Sequence, residues 1–217
     1  MSQQAYRLEK EITKMVVLDY LLHVPQGYDP SSDEKWPVIL FLHGAGERGN
    51  DLELVKIHGV PHIADKDPSF PFIAISPQCP GNAFWNMEKD AVMAVLDEVL
   101  ANYNADAARI YLTGLSMGGY GTWELAAEYP GRFAAAVPIC GGGDPKHADK
   151  LINTPIWVFH GAKDDVIPLS ESEDMVKSIQ AAGGDIKLTV YPEANHNSWS
   201  ETYKNQEVYD WFLQHSL

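Results

Sequence analysis

One serine stands in the setting that serine chemistry needs. Ser116 lies in Gly114-Leu-Ser-Met-Gly118, a G-x-S-x-G pattern that follows the apolar run Ile110-Tyr-Leu112 and precedes a helical segment. A sharp strand-to-helix turn there forces the serine into strained backbone geometry, and the flanking glycines let strand and helix pass without Cβ clashes. The hydroxyl would sit at the helix N-terminus, where the dipole favours developing negative charge. A serine hydroxyl is a weak nucleophile until a base takes its proton. On such a turn the chain order is nucleophile, acid, histidine. Only His196 and His215 follow far enough, and His215 lies in the final helix, two residues from the end of the sequence. His196, in the polar loop Glu193-Ala-Asn-His-Asn-Ser-Trp199, is therefore the expected base. The acid belongs after the preceding strand, in His160-Gly-Ala-Lys-Asp-Asp-Val-Ile-Pro168, where Asp164 and Asp165 are adjacent and the residues alone leave both open.

An acyl-transfer site also needs two N–H donors aimed at the developing oxyanion. One is the amide of Met117, the residue after the nucleophile. The second is expected from the glycine-rich loop His43-Gly-Ala-Gly-Glu-Arg-Gly49.

The elements that must hold these loops are legible as short apolar runs. Val16–Val24 reads as a mixed strand, and Val38–Leu42 and Phe72–Ser76 as strands buried on both faces. Val92, Val95, Leu96, Val99, Leu100 and Tyr103 form one helical stripe. Further strands are read at Ile110–Leu112, Phe133–Cys140, Ile156–Phe159 and Leu188–Tyr191. Helices are read from the serine to about Tyr129, from Ser172 to Ala181, and from Thr202 to His215. The alternation predicts an α/β protein, a mostly parallel doubly wound sheet with helices on both faces. Residues 1–217 are expected to form a single domain, with functional residues in loops after strands.

Composition sets the outer limits. Lys and Arg number 16 against 30 Asp and Glu, a formal charge of −14, which argues against nucleic acid as partner. The longest apolar stretch, Ala91–Leu96, is far too short to span a bilayer. The start, Met-Ser-Gln-Gln-Ala-Tyr-Arg, has no apolar leader, so cytoplasm is the default expectation, a removed leader being the alternative. Two cysteines, Cys79 and Cys140, make neither a disulfide framework nor a four-ligand zinc site. The scattered histidines suggest no metal, and the chemistry requires no cofactor. Oligomeric state leaves no mark in the pattern.

Taken together, Ser116 in Gly-Leu-Ser-Met-Gly-Gly, the segment His160-Gly-x-x-Asp164-x-x-Ile-Pro168, and His196 resemble the α/β-hydrolase superfamily. The chain is most similar to its small carboxylesterases, the dienelactone-hydrolase, phospholipase/carboxylesterase and polyhydroxybutyrate-depolymerase-like branches. The resemblance runs from about Val16 to the end. It implies Asp164 rather than Asp165 as the acid, and Ala45 as the second oxyanion amide. The chain departs from the dienelactone hydrolases proper, which use cysteine where Ser116 stands.

Trp85 and Trp199 are candidates for walls of the substrate site. Glu47 and Arg48 are candidates for substrate contact, or for an ion pair fixing the oxyanion loop. Trp123 is read as core, Cys140 as a buried small hydrophobe near the site, and His43 and His160 as loop-holding. The expected function is a serine esterase acting through an acyl-enzyme on a small or polymer-derived ester. A peptidase or thioesterase with the same triad is the first alternative, and an inactive binding module the second. Only Gly141–Pro155 separates two strands where lipid-handling hydrolases carry a cap, so no cap domain is expected and short acyl groups are favoured.

Overall fold

The computed structural model describes residues 4–11 and 13–217. Its strands are β1 Tyr20–His23, β2 Trp36–Leu42, β3 Ile73–Pro77, β4 Ala105–Leu115, β5 Ala135–Ile139, β6 Ile156–Gly161 and β7 Ile186–Tyr191. The helices are α1 Gly59–Lys66, α2 Lys89–Asn102, α3 Met117–Glu128, α4 Ala148–Leu151, α5 Ser170–Ala181, α6 Trp199–Thr202 and α7 Gln206–Phe212. The strands form one sheet in the order β1-β3-β2-β4-β5-β6-β7. Every pairing is parallel except β1 with β3.

Alternation along β2 shows how the sheet is buried. Val38, Leu40 and Leu42 face a core shared with Val92, Leu96 and Val99 of α2, Trp123 and Leu125 of α3, and Met175 and Ile179 of α5. Ile39 and Phe41 face the opposite core, with Val60 and Ala64 of α1 and Val208, Tyr209 and Phe212 of α7. All five β2 residues are fully buried, which is why the run reads as continuous rather than alternating hydrophobicity. This is the α/β sheet with helices on both faces that the sequence predicts. Among the described residues, no helix is long and apolar enough to cross a membrane.

Several boundaries differ by a few residues, and three differences have a visible cause. The strand read at Val16–Val24 shrinks to Tyr20–His23, because its partner β3 ends at Pro77 opposite Tyr20. The helix read at Thr202–His215 breaks in two. The side chain of Asn205 accepts the Glu207 amide and starts α7 afresh, while Tyr203 is buried at the break. Helix α1 is absent from the sequence reading: it is short, and it starts at Gly59, where φ is +70° and a Cβ would lie 2.3 Å from the Phe41 ring.

The strand order reverses direction of growth between β2 and β4. β2 leads outward to β3, and the chain then returns to place β4 on the other side of β2. In such sheets the crevice at the carboxyl ends of those two strands is where ligands sit. The loop after β2 and the turn after β4 carry the glycine-rich segment and Ser116.

Candidate active site

Ser116 occupies the turn between β4 and α3 with φ 53° and ψ −114°, a conformation that L-residues seldom adopt. The glycines around it are required by space. A Cβ on Gly118 would stand 1.9 Å from the Leu42 carbonyl oxygen, and one on Gly114 would stand 2.3 Å from that of Gly118. Strand β2, the turn and α3 are thus in backbone contact, and the serine is held out at the end of β4.

Two loops from the far half of the sheet close on it. His196, in the loop after β7, has Nε2 2.9 Å from Ser116 Oγ and Nδ1 2.8 Å from Asp164 Oδ2. The pairing assigns the proton of neutral His196 to Nδ1, which donates to the carboxylate and leaves Nε2 to accept from the serine. The loops carrying the two residues interlock: a Cβ on Gly161 would lie 2.2 Å from the Asn195 carbonyl oxygen.

Asp164 has its side chain fully buried and receives three donors: Oδ2 takes His196 Nδ1, and Oδ1 takes the amides of Val166 and Ile167, each at 2.9 Å. His160 Nε2 lies 3.2 Å from Oδ2 and donates to the Ile167 carbonyl at 2.9 Å. Burial pushes this carboxyl up, but the hydrogen bonds from His196, Ile167 and Val166 outweigh it and leave it below the ordinary value. Of the two adjacent aspartates, Asp164 meets His196 and Asp165 is exposed. His215 sits at the other end of the molecule, its carbonyl accepting from the Tyr111 hydroxyl.

The loop after β2 is fixed by polar contacts from several directions. His43 is buried, with Nδ1 2.6 Å from the Gly44 carbonyl and Nε2 2.9 Å from the Cys79 amide. Nδ1 therefore donates and Nε2 accepts, so the ring is neutral, and burial lowers its pKa to about 4. Trp85 Nε1 donates to the His43 carbonyl at 3.0 Å. Ala45 opens a short 3₁₀ turn, Ala45–Glu47, and Met117 opens α3, so both amides are among the donors that a helical start leaves without an internal partner.

Glu47 and Arg48 do not pair with each other. Arg48 donates to the carbonyls of Ala45, at 3.1 Å, and Ala83, at 3.2 Å, and its guanidinium lies 4.8 Å from the centre of the Phe84 ring. Glu47 is buried with Oε2 unpartnered, and its Oε1 lies 4.0 Å from His58 Nε2. Trp199 stacks edge-on against His196 at 5.3 Å and also meets the His58 ring. Trp123 is core, and Cys140 is buried at φ 39° with its thiol pushed by burial up to about 12.

Ser116 opens on a cleft of about 550 Å³ lined by Trp85, Met87, Tyr120, Glu124, Asp144 and Ile167, among others. Trp85 lines this cleft, whereas Trp199 does not and instead flanks His196. Tyr120 was not anticipated. Its signal was present, since it lies four residues past Ser116 and so one helical turn along the same face.

A model of the dienelactone hydrolase family matches residues 61–210. The chain belongs to the dienelactone hydrolase family. Its fold is that of a solved thermostable esterase, 38% identical, with a TM-score of 0.79 over 92% of this chain and 60% of that one. A bifunctional acetylxylan esterase/xylanase of Neocallimastix patriciarum is 30% identical over 74% of this chain and 23% of its own. A Salmonella typhimurium protein assigned as a carboxymethylenebutenolidase is 31% identical over 57% of this chain and 54% of its own. This dienelactone-hydrolase-family chain thus spans about half or less of the curated relatives it matches, and its fold and family place the domain among hydrolases of the ester-cleaving type.

Proposed function

We propose that this domain is a serine carboxylesterase working through an acyl-enzyme. The supporting observation is the continuous hydrogen-bonded chain from Ser116 through His196 to Asp164, opening on a cleft. Ser116 Oγ attacks the acyl carbonyl carbon while its proton passes to His196 Nε2. Asp164 holds the imidazole in the required tautomer and stabilises the imidazolium that forms. The amides of Ala45 and Met117 receive the oxyanion. As the carbonyl re-forms, the bond to the alcohol breaks and the alcohol takes the proton from His196. Water then attacks the acyl-enzyme, His196 accepts its proton and returns it to Ser116, and the acid leaves. Nothing in this cycle needs a cofactor.

The substrates we propose carry short acyl groups of two to four carbons. The segment between β5 and β6 forms only the turn Pro145–His147 and the four-residue α4, with no cap. Phe84 and Met87 are more than half exposed at the cleft edge, at 52% and 57%, so added methylenes stay wet. Each contributes about 0.8 kcal/mol only when buried. The acetylxylan esterase among the relatives is consistent with acetyl esters. The test is kcat/KM on p-nitrophenyl esters from acetate to palmitate, beside matched amides and thioesters. A maximum at eight carbons or beyond, or faster amide cleavage, overturns the reading.

A further inference from the structure

The cleft beside Ser116 carries an unbalanced charge. Among the described residues, no lysine or arginine lines it, whereas Glu124 and Asp144 do. Lys89 lies 3.2 Å from Glu124, but it also lies 3.5 Å from Glu128, so one cation serves two carboxylates. Arg48 borders Phe84, yet its Nε and Nη1 are engaged by the carbonyls of Ala45 and Ala83. Asp144 is exposed and accepts only a local amide, that of Lys146. Glu171 adds a third carboxylate at the rim. Its Oε2 lies 3.5 Å from the Tyr120 hydroxyl and would touch any side chain placed on Gly142. Together with the chain's −14, the near and far fields have the same sign.

We propose that this cleft selects against anionic substrates and takes neutral or cationic esters, with Glu124 and Asp144 as the residues that set the preference. The inference rests on the esterase reading above and narrows its substrate class. A carboxylate entering the cleft would meet two like charges at its walls and a third at its rim, with no donor side chain of positive charge to receive it. The behaviour of Tyr120 agrees: burial first, then the charges of Glu171 and Asp164, raise its phenol above the ordinary value. The consequence separates this chain from some relatives. Carboxymethylenebutenolide, which names the assigned activity of the Salmonella protein, carries a carboxylate by its own name. An acetylated neutral sugar does not.

The test uses three ethyl esters with four-carbon acyl chains, within the proposed range: monoethyl succinate, its neutral amide analogue ethyl 3-carbamoylpropanoate, and cationic ethyl 4-(trimethylammonio)butanoate. kcat/KM is measured at pH 7.5 in low and high salt. The wild type should prefer the neutral over the anionic ester by at least about tenfold at low ionic strength, and the cationic ester should do at least as well as the neutral one. Added salt should shrink the ratio. Asp144→Asn and Glu124→Gln should each reduce it by roughly threefold. Asn at position 144 keeps the local amide acceptor, so that variant serves even if loss of the Lys89 partner unfolds the other. Equal rates on anionic and neutral esters, or a ratio unmoved by both substitutions, overturn the proposal. Failure to cleave any of the three, with p-nitrophenyl acetate also inert, instead overturns the esterase reading itself.

Discussion

The turn at Ser116 and the rim of the cleft, a few ångströms apart, are built on opposite principles. At the turn, backbone meets backbone: Gly114 and Gly118 leave no room for a methyl group, and Ser116 is held in a strained conformation by β2 and β4. At the rim, Phe84, Met87 and Tyr120 are 40% exposed or more. A reacting oxygen must be placed to within a fraction of an ångström, so its surroundings are rigid. A surface that only sorts substrates by size and charge tolerates looser construction.

That contrast is open to direct attack. On the proposed chemistry, Ser116→Ala should lower kcat by about 10⁴-fold or more without unfolding the protein, and it should abolish labelling by a fluorophosphonate. Retention of a tenth of the activity would falsify the assignment. Asp164→Asn comes next, at about 10³-fold in kcat, because it removes the group that orients His196. Asp165→Asn should stay within about threefold, since that side chain is exposed. Comparing the two neighbours in one assay tests the loop register, and the reverse ranking would show it to be wrong.

A third experiment concerns stability. His43 is held neutral, with a pKa lowered to about 4 from 6.5. Between those values the unfolded chain binds the extra proton and the folded chain does not. Stability should therefore fall as pH drops from about 6.5 to 4, by up to about 3 kcal/mol from this residue. Urea midpoints at pH 7 and pH 4.5 should differ less in His43→Gln than in the wild type; an equal difference would show that the ring is not the source. The smallest effect belongs to the rim. Met87→Ala should change KM by less than about threefold and leave kcat alone, and a large drop in kcat would mean that the rim is as constrained as the turn.

The same division governs what the sequence discloses. Ser116, His196 and the loop holding Asp164 are readable because each depends on local patterns, glycines at fixed offsets and a polar segment after an apolar run. The sheet is readable because β2, with both faces buried, must be apolar throughout. The cleft is not, since Trp85, Tyr120 and Asp144 converge from three segments that share no local pattern. The preference for carbonyl partners by Arg48 is equally hidden: adjacent Glu47 and Arg48 suggest a pair, but backbone direction sends the two side chains apart. Helix α1 escapes because only Val60, Ile63 and Ala64 mark its apolar side, too few for a periodic signal.

The tethering of the segment from His43 to Gly49 has an implication for how new specificities could arise. It is tied to the segment from Gln78 to Trp85 by a set of bonds: Gln78 Nε2 to the Glu47 carbonyl, the Cys79 amide to His43, Trp85 to the His43 carbonyl, Arg48 to the Ala83 carbonyl, and the Gly49 amide to the Cys79 carbonyl. One of these segments holds the proposed oxyanion amide of Ala45, and the other supplies a wall of the cleft. They form one mechanical unit. A laboratory selection for bulkier substrates that remodels Trp85 would therefore disturb turnover along with recognition. Variation at Asp144, exposed on the opposite wall, escapes that coupling, and it is there that a designer should first place a library.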